Sequence, residues 1–462
     1  MTRALPIEDF ASSHGHHGRR VRFSAWRGVV AAVVILWAYT AAPAEERFPT
    51  PEFQSGYQMP TMQVTPARWR GWNVVDTVAL AGWLSLGAYV VYRRRSRTAT
   101  FVLMVAALAY FGFYRRGCVC PIGATGNVAM ALGPNGYALP WAVAAFFVLP
   151  LLFALFFGRV FCGTSCPLGA IQDVMLWRPL RLPLWLERAL GLFAFLYLGL
   201  AVMLAAVGTD LIICRYDPFV GLFRLSGPAH MIVLGFAFLL VCMFIGRAYC
   251  RFICPYGALL RLLSMLSWKR VTITPSECVD CRMCEEGCPF NCIRRPTASQ
   301  PLRPEEKRRA RRVLVRVLAA QPVLIAAFAV LGALAAPGWA SLDRRIDLAR
   351  QVLAEQATGR KALTDETSVF WKSGMTVGEL LTQTEAVKRR FRIGSTIFGA
   401  WTGLVLGMGL LGASVRRYRI GWTADAGTCL ACSRCYLTCP VEHSRRTGQS
   451  VESILQTRQA VA

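Results

Sequence analysis

Histidine is scarce: His14, His16, His17, His230 and His443 are the full set of 5 in 462 residues, and only His230 lies near a long apolar run. A haem with two histidine axial ligands cannot be built from that set, and the Cys-x-x-Cys-His attachment sequence is missing. A Rossmann glycine fingerprint and a P-loop are missing too, which removes nicotinamide oxidation and ATP-driven pumping from the leading readings. Carboxylates are half as numerous as basic residues, 26 against 52. None stands in the middle of a long apolar run. Asp76 and Asp210 fall near run ends, so an intramembrane ion pathway is not supported.

What the chain has in excess is apolar sequence, 55% hydrophobic residues with a positive mean hydropathy, gathered into long runs. That composition predicts an all-α polytopic membrane protein. The net charge of +26 could point to nucleic acid, but the arginines cluster beside apolar runs instead of alternating with exposed aromatics. The positive-inside rule accounts for them, and no nucleic-acid partner is expected.

Arg19, Arg20, Arg22 and Arg27 precede an apolar stretch at 28–41, and Ala42-Pro43-Ala44 follows it like a signal-peptidase site. Residues 1–44 are therefore either a signal peptide or a first transmembrane anchor. Pro49, Pro51, Pro60 and Pro66 make residues 45–71 an extended external segment. Further spans fall at 72–92, 99–114, 137–157, 189–208, 230–246, 314–338 and 394–414. Each is near the ~20 residues that cross a bilayer core, giving about eight transmembrane helices if the first is retained. Alternation then places Arg93 to Arg97, Arg178/Arg181/Arg188, Lys307 to Arg312 and Arg416/Arg417/Arg419 on the cytoplasmic side. The loop at 341–391 falls outside, although Arg344, Arg345, Lys388, Arg389, Arg390 and Arg392 flank it with a charge that short loops normally keep inside. Within it, Ile346, Leu348, Val352 and Leu353 have helical spacing and predict a small helical cap.

The 17 cysteines carry the chemistry. Most stand in Cys-Pro motifs expected to face a reducing compartment, which is not how a secreted disulfide scaffold is built. One run occurs twice, as Cys278-x2-Cys281-x2-Cys284-x3-Cys288-Pro289 and as Cys429-x2-Cys432-x2-Cys435-x3-Cys439-Pro440. Three close thiolates cap three irons of a cubane, and the fourth, set off by proline, ligates the other cluster of a two-cluster module. The expected pairing is crossed: Cys278, Cys281 and Cys284 with Cys439, and Cys429, Cys432 and Cys435 with Cys288. Zinc sites usually come as two Cys-x-x-Cys pairs, which this is not.

A second repeat stands at span ends. Residues 158–170 read GRVFCGTSCPLGA and residues 246–258 read GRAYCRFICPYGA. Cys162/Cys166 and Cys250/Cys254 could meet across a pseudo-twofold and supply four thiolates at the membrane boundary. They are expected to hold a further iron–sulfur cluster or copper, the alternative being thiols that pack at a helix end. A degenerate third copy, Cys118-Val-Cys120-Pro-Ile-Gly-Ala, falls on the external side, where Cys118 and Cys120 are either metal ligands, a disulfide or packing residues. Cys214 is a candidate partner for either, Cys242 reads as structural, and Cys292 as packing against a cluster.

The expected organisation is a transmembrane core over 72–268, a first ferredoxin half over 269–312, a two-span insert with an external helical loop over 313–415, and a second half with a C-terminal tail over 416–462. The two halves make a small cytoplasmic α+β two-cluster ferredoxin module from separated segments.

The spans, the G-R-x-[FY]-C-x3-C-P-x-G-A repeats and the two ferredoxin runs together resemble the membrane polyferredoxins: NosR-like regulators of nitrous-oxide reduction, NapH-like nitrate-reductase accessory proteins and CcoG-like oxidase-assembly proteins. The resemblance covers residues 72–292 and 416–440. It implies a multi-pass protein of the bacterial cytoplasmic (inner) membrane that moves electrons for a periplasmic or membrane metalloenzyme, or helps mature it. NosR-like proteins carry a large external FMN-binding domain ahead of the spans, where this chain has only its proline-rich segment. The ferredoxin runs, usually close together, are here separated by the two-span insert.

The function expected is that of an electron-transfer subunit, with no catalytic residues of its own. It would relay electrons between a cytoplasmic or quinone-linked donor and a membrane or periplasmic acceptor, with an external flavoprotein or metalloenzyme as redox partner. The alternative is an assembly or regulatory factor that binds or reduces copper.

Overall fold

A long apolar run satisfies its backbone groups within one segment, away from water, by coiling into a helix, and the chain is mostly helical. The computed structural model describes residues 71–117, 119–134, 136–224, 226, 228–273, 278–297, 304–359, 364–415, 419 and 421–459. The leader or anchor at 1–44, all but the last residue of the segment at 45–71, Cys118, Arg416 and Arg417 lie outside the described residues.

The principal helices are α1 (Gly71–Arg94), α2 (Arg97–Tyr114), α3 (Pro121–Leu132), α4 (Trp141–Phe157), α5 (Leu184–Val207), α6 (Ala229–Phe244), α7 (Pro304–Ala340) and α8 (Val377–Ser414). All but α3 coincide with expected spans. Five, namely α1, α2, α5, α7 and α8, are long and apolar enough to cross a membrane, while α4 and α6 are apolar but shorter. Asp76 of α1 is buried and ion-paired to Arg115 at the end of α2, with the Tyr110 hydroxyl donating to it at 3.3 Å. This carboxylate is a tie between two helices.

Cys-Pro sequences divide the apolar runs. Cys120, Cys166 and Cys254 each cap a helix whose first residue is proline, giving α3, Pro167–Val174 and Pro255–Met265. Proline is tolerated there because the N–H it lacks would have no intrahelical acceptor. The helix after Cys120 falls between two of the expected spans and packs against α4 and α5.

Helices α7 and α8 form a hairpin whose seam is glycine. A Cβ on Gly403 would stand 2.6 Å from Leu324 O, and Gly399 and Gly332 lie closer still to the opposite backbone, at Phe328 O and Ser395 O. Gly399, Gly403 and Gly407 recur every fourth residue, the spacing by which small residues let two membrane helices touch. Between them sit Arg344–Thr358 and Asp365–Lys372, the expected helical cap. Ile346, Ala349 and Val352 face inward, whereas Leu353, expected to pack, is 44% exposed. The buried Glu355 accepts from Trp371 Nε1 at 2.7 Å and from the Thr367 hydroxyl at 2.5 Å.

The two segments that carry the four-cysteine runs join through a two-stranded antiparallel sheet, β1 (Ile293–Arg294) on β2 (Thr423–Ala424), in the register Ile293↔Ala424. This small sheet closes a module whose other elements are short helices.

Candidate functional site

Each G-R-x-[FY]-C-x3-C-P-x-G-A repeat folds as a short helix, a cysteine cap and a second helix: Val160–Thr164 then Pro167–Val174, and Ala248–Phe252 then Pro255–Met265. The final glycine allows the turn to close on itself. A Cβ on Gly169 would lie 3.0 Å from Cys162 O and 3.2 Å from Arg247 Nη1; a Cβ on Gly257 would lie 2.9 Å from Cys250 O and 3.4 Å from Arg159 Nη2. The arginine of each repeat thus reaches over the glycine of the other. That exchange is what relates the two copies as a pseudo-symmetric pair.

It brings together four buried thiols, Cys162, Cys166, Cys250 and Cys254. Gln172 Nε2 donates to Cys250 Sγ at 3.3 Å, Arg159 Nη2 to Cys162 Sγ at 3.8 Å, and the Gly257 N–H to Cys254 Sγ at 3.2 Å. Cys242, on α6, donates to Gln172 Oε1 at 3.4 Å, so it steadies the amide that faces Cys250. A hydrogen bond from Cys166 is the main influence lowering the pKa of Cys250, and donating it pushes Cys166 well up. Burial raises Cys162 and Cys254 against the nearby arginines. Among the described residues no three His, Cys, Asp or Glu side chains converge as they would around one ion. A cubane instead distributes its cysteines over separate irons, and an all-thiol donor set is the one it takes.

The ferredoxin loops lie directly on these repeats. Cys278, Cys281, Cys284 and Cys439 line one pocket together with Ile273, Trp422 and Val441. Cys429, Cys432 and Cys435 neighbour Cys288, burial being the main reason their Cys435 thiol is pushed up. Both loops are wound the same way: Asp280 and Arg282 have φ of 51° and 56°, and Ala431 and Ser433, at the matching positions, 49° and 59°. Non-glycine residues hold left-handed backbone at a cost, and such kinks form concave, anion-binding nests of N–H groups. The Met283 N–H donates to Cys281 and the Ala431 N–H to Cys429. Thiolate-ligated clusters are anionic, and these loops fit them.

The join between loops and repeats is tight. A Cβ on Gly163 would stand 2.8 Å from Ala431 O, and one on Gly246 would stand 3.0 Å from the Phe290 ring. Arg159 Nη1 donates to Gly427 O at 3.3 Å, linking Cys162 to the loop that carries Cys429. Asp173, fully buried, accepts a hydrogen bond from Arg97 at 2.6 Å and is ion-paired to Arg434 at 3.0 Å and Arg247 at 3.4 Å, while Arg97 also donates to Cys432 O at 3.0 Å. Burial alone would raise the Asp173 pKa; the Arg434, Arg247 and Arg97 guanidiniums hold it well below the usual carboxylate range. Cys292 donates to Thr428 O at 2.9 Å and to Cys288, a contact that brings Cys288 down to about 6.

Cys120 is not remote from this assembly. It lines a pocket with Cys166, Asp217, Phe161 and Phe223. Cys120 and Cys214 are neighbours, and both are free thiols. Burial raises Asp217 beside them to about 6, against the N–H groups of Phe219 and Val220.

Asp173, Arg97, Arg434, Arg159, Arg247 and Gln172 escaped the reading of the sequence as functional residues. Arg159 and Arg247 were inside the repeat and could have been found by asking what its second letter does. Asp173 lies beyond the repeat, and its partners come from three distant segments.

Residues 139–192 and 228–273 match a 4Fe-4S binding domain family, and these blocks hold Cys162, Cys166, Cys250 and Cys254. The methylamine utilization ferredoxin-type protein MauN of Paracoccus denitrificans is 32% identical over 235 residues, 46% of this chain and 79% of that protein. The chain belongs to the membrane polyferredoxins. YccM of Escherichia coli, named for a proposed role in electron transport, is 29% identical over 164 residues, 32% of this chain and 44% of YccM. The regulatory protein NosR of Pseudomonas aeruginosa is 29% identical over 215 residues, 40% of this chain and 28% of NosR. The chain spans less than two thirds of the length of either of these. No solved structure matches it.

Proposed function

We propose that this chain is an electron-transfer subunit of the bacterial inner membrane, holding two [4Fe–4S] clusters in a cytoplasmic ferredoxin module and a third iron–sulfur centre at the repeats. The residues holding them would be Cys278, Cys281, Cys284 and Cys439 for the first cluster; Cys429, Cys432, Cys435 and Cys288 for the second; and Cys162, Cys166, Cys250 and Cys254 for the third. Bound clusters supply one-electron redox chemistry. The protein supplies order and insulation. The exposure of Cys278 supports approach of a soluble or quinone-linked donor to the first site, and the contacts at Gly163 and Gly246 support electron passage from the second to the repeats. Cys120 and Cys214 continue the row toward a membrane or periplasmic acceptor, such as a flavoprotein or metalloenzyme.

The observation that carries this reading is the direct seating of both ferredoxin loops on the thiol repeats at Gly163 and Gly246. A storage or zinc-structural role needs no such contact. The test uses Cys166→Ser and Cys254→Ser chains purified without oxygen. Low-temperature EPR should show the same signal lost from both, with the two ferredoxin signals retained. Independent losses, or unchanged spectra, would remove the third centre. Copper bound in stoichiometric amount in the wild type and absent from both variants would instead favour an assembly factor.

A further inference from the structure

A cleft of about 570 Å³, part of it open to solvent, lies between the start of α5, the Pro255–Met265 helix and the ferredoxin loops. Arg159, Arg188, Arg251, Arg261 and Arg294 line it, and Glu187 is the one carboxylate among its lining residues. Glu187 is already committed, to Arg251 and to Asn291 Nδ2 at 3.2 Å. Four guanidiniums are thus left around the cleft without an acid of their own in it.

Such crowding is unfavourable unless something answers it. Two of these arginines have a buried Nε–H with no hydrogen-bond partner, Arg159 and Arg261. Burial, reinforced by the Arg159 and Arg294 charges, lowers the pKa of Arg261 against the opposing pull of Asp425 and Cys292. The wall also lacks bulk where Arg261 needs room: a Cβ on Gly191 would stand 2.7 Å from its Nη1. Buried donors left unpaired cost free energy, and guanidinium forks match the oxygens of phosphate closely.

We propose that this cleft is a binding site for a phosphate group, carried either by an anionic phospholipid headgroup or by a soluble phosphate compound. The ligand would neutralise Arg188, Arg261 and Arg294 beside Phe290 and Thr428, at the join between the ferredoxin loops and the repeats. None of the proposed cluster ligands lines the cleft; Arg159, which lines it too, also faces Cys162 Sγ at 3.8 Å.

The full chain is purified in detergent, and binding of pyrophosphate is measured by calorimetry. In parallel, the chain is reconstituted in mixed phosphatidylglycerol and phosphatidylcholine nanodiscs, and retained lipid is read by native mass spectrometry. Arg261→Gln and Arg294→Gln should weaken the wild-type binding at least tenfold while helical circular dichroism is unchanged. Arg188→Gln, an exposed rim position, serves if either inner variant fails to fold, and it should weaken binding severalfold. Preferential, variant-sensitive retention of phosphatidylglycerol identifies a headgroup site. Variant-sensitive pyrophosphate binding without lipid preference identifies a soluble ligand. Absence of both, or binding that none of the folded variants alters, overturns the proposal.

Discussion

An Asp173→Asn chain is expected to lose about 3–5 kcal/mol of stability, the range seen when one partner of a buried ion pair is removed. The amide keeps the shape of the side chain and deletes only its charge, leaving Arg97, Arg247 and Arg434 converging on a neutral group. Because these arginines come from α2, from the second repeat and from the ferredoxin run, the loss should loosen the module from the helices rather than melt one element. Thermal unfolding with limited proteolysis of the ferredoxin segments is the measurement. A midpoint within a degree of wild type, with unchanged cleavage, would show that the hub is not what holds the module down. The same residue gives a pH dependence. Its folded pKa is depressed, so its contribution is complete above the unfolded carboxylate value of about 4 and disappears as pH falls toward the folded value.

A Cys439→Ala chain should lose the cluster expected on Cys278, Cys281 and Cys284, far away in sequence, while the signal tied to Cys429, Cys432 and Cys435 persists. These four residues share one cavity, and a cubane deprived of one thiolate is labile in air. EPR of the reduced variant, with iron analysis, should show about four irons fewer per chain. Damage confined to the centre of Cys429, Cys432 and Cys435 would reverse the crossed assignment.

Much of this was legible in the sequence because it depends on spacing. The cysteine runs fix which thiols can gather, and an apolar run near twenty residues long has few alternatives to a helix. The expected spans at 72–92 and 394–414 lie within α1 and α8 for that reason. What escaped depends on contacts between distant segments. Nothing local marks Asp173 as the meeting point of three arginines, and its neighbours Gln172 and Val174 would suit many surroundings. The surroundings of Cys120 were illegible for a related reason. Its Cys-Pro cap resembles those at Cys166 and Cys254, but only the packing shows α3 against α4 and α5 and Cys120 sharing a pocket with Cys166. The glycines were visible as letters. Only the packing shows that Gly163 and Gly246 are the seats of the ferredoxin loops.

The most direct test of a three-centre relay is a count of iron, acid-labile sulfide and copper on the anaerobically purified full chain, joined to an EPR redox titration. Three cubanes require about twelve irons and as many sulfides per chain, no copper, and three reducible signals. Eight irons with two signals, with or without copper, would leave the repeats at Cys162, Cys166, Cys250 and Cys254 without an iron–sulfur centre and contradict the relay at its middle.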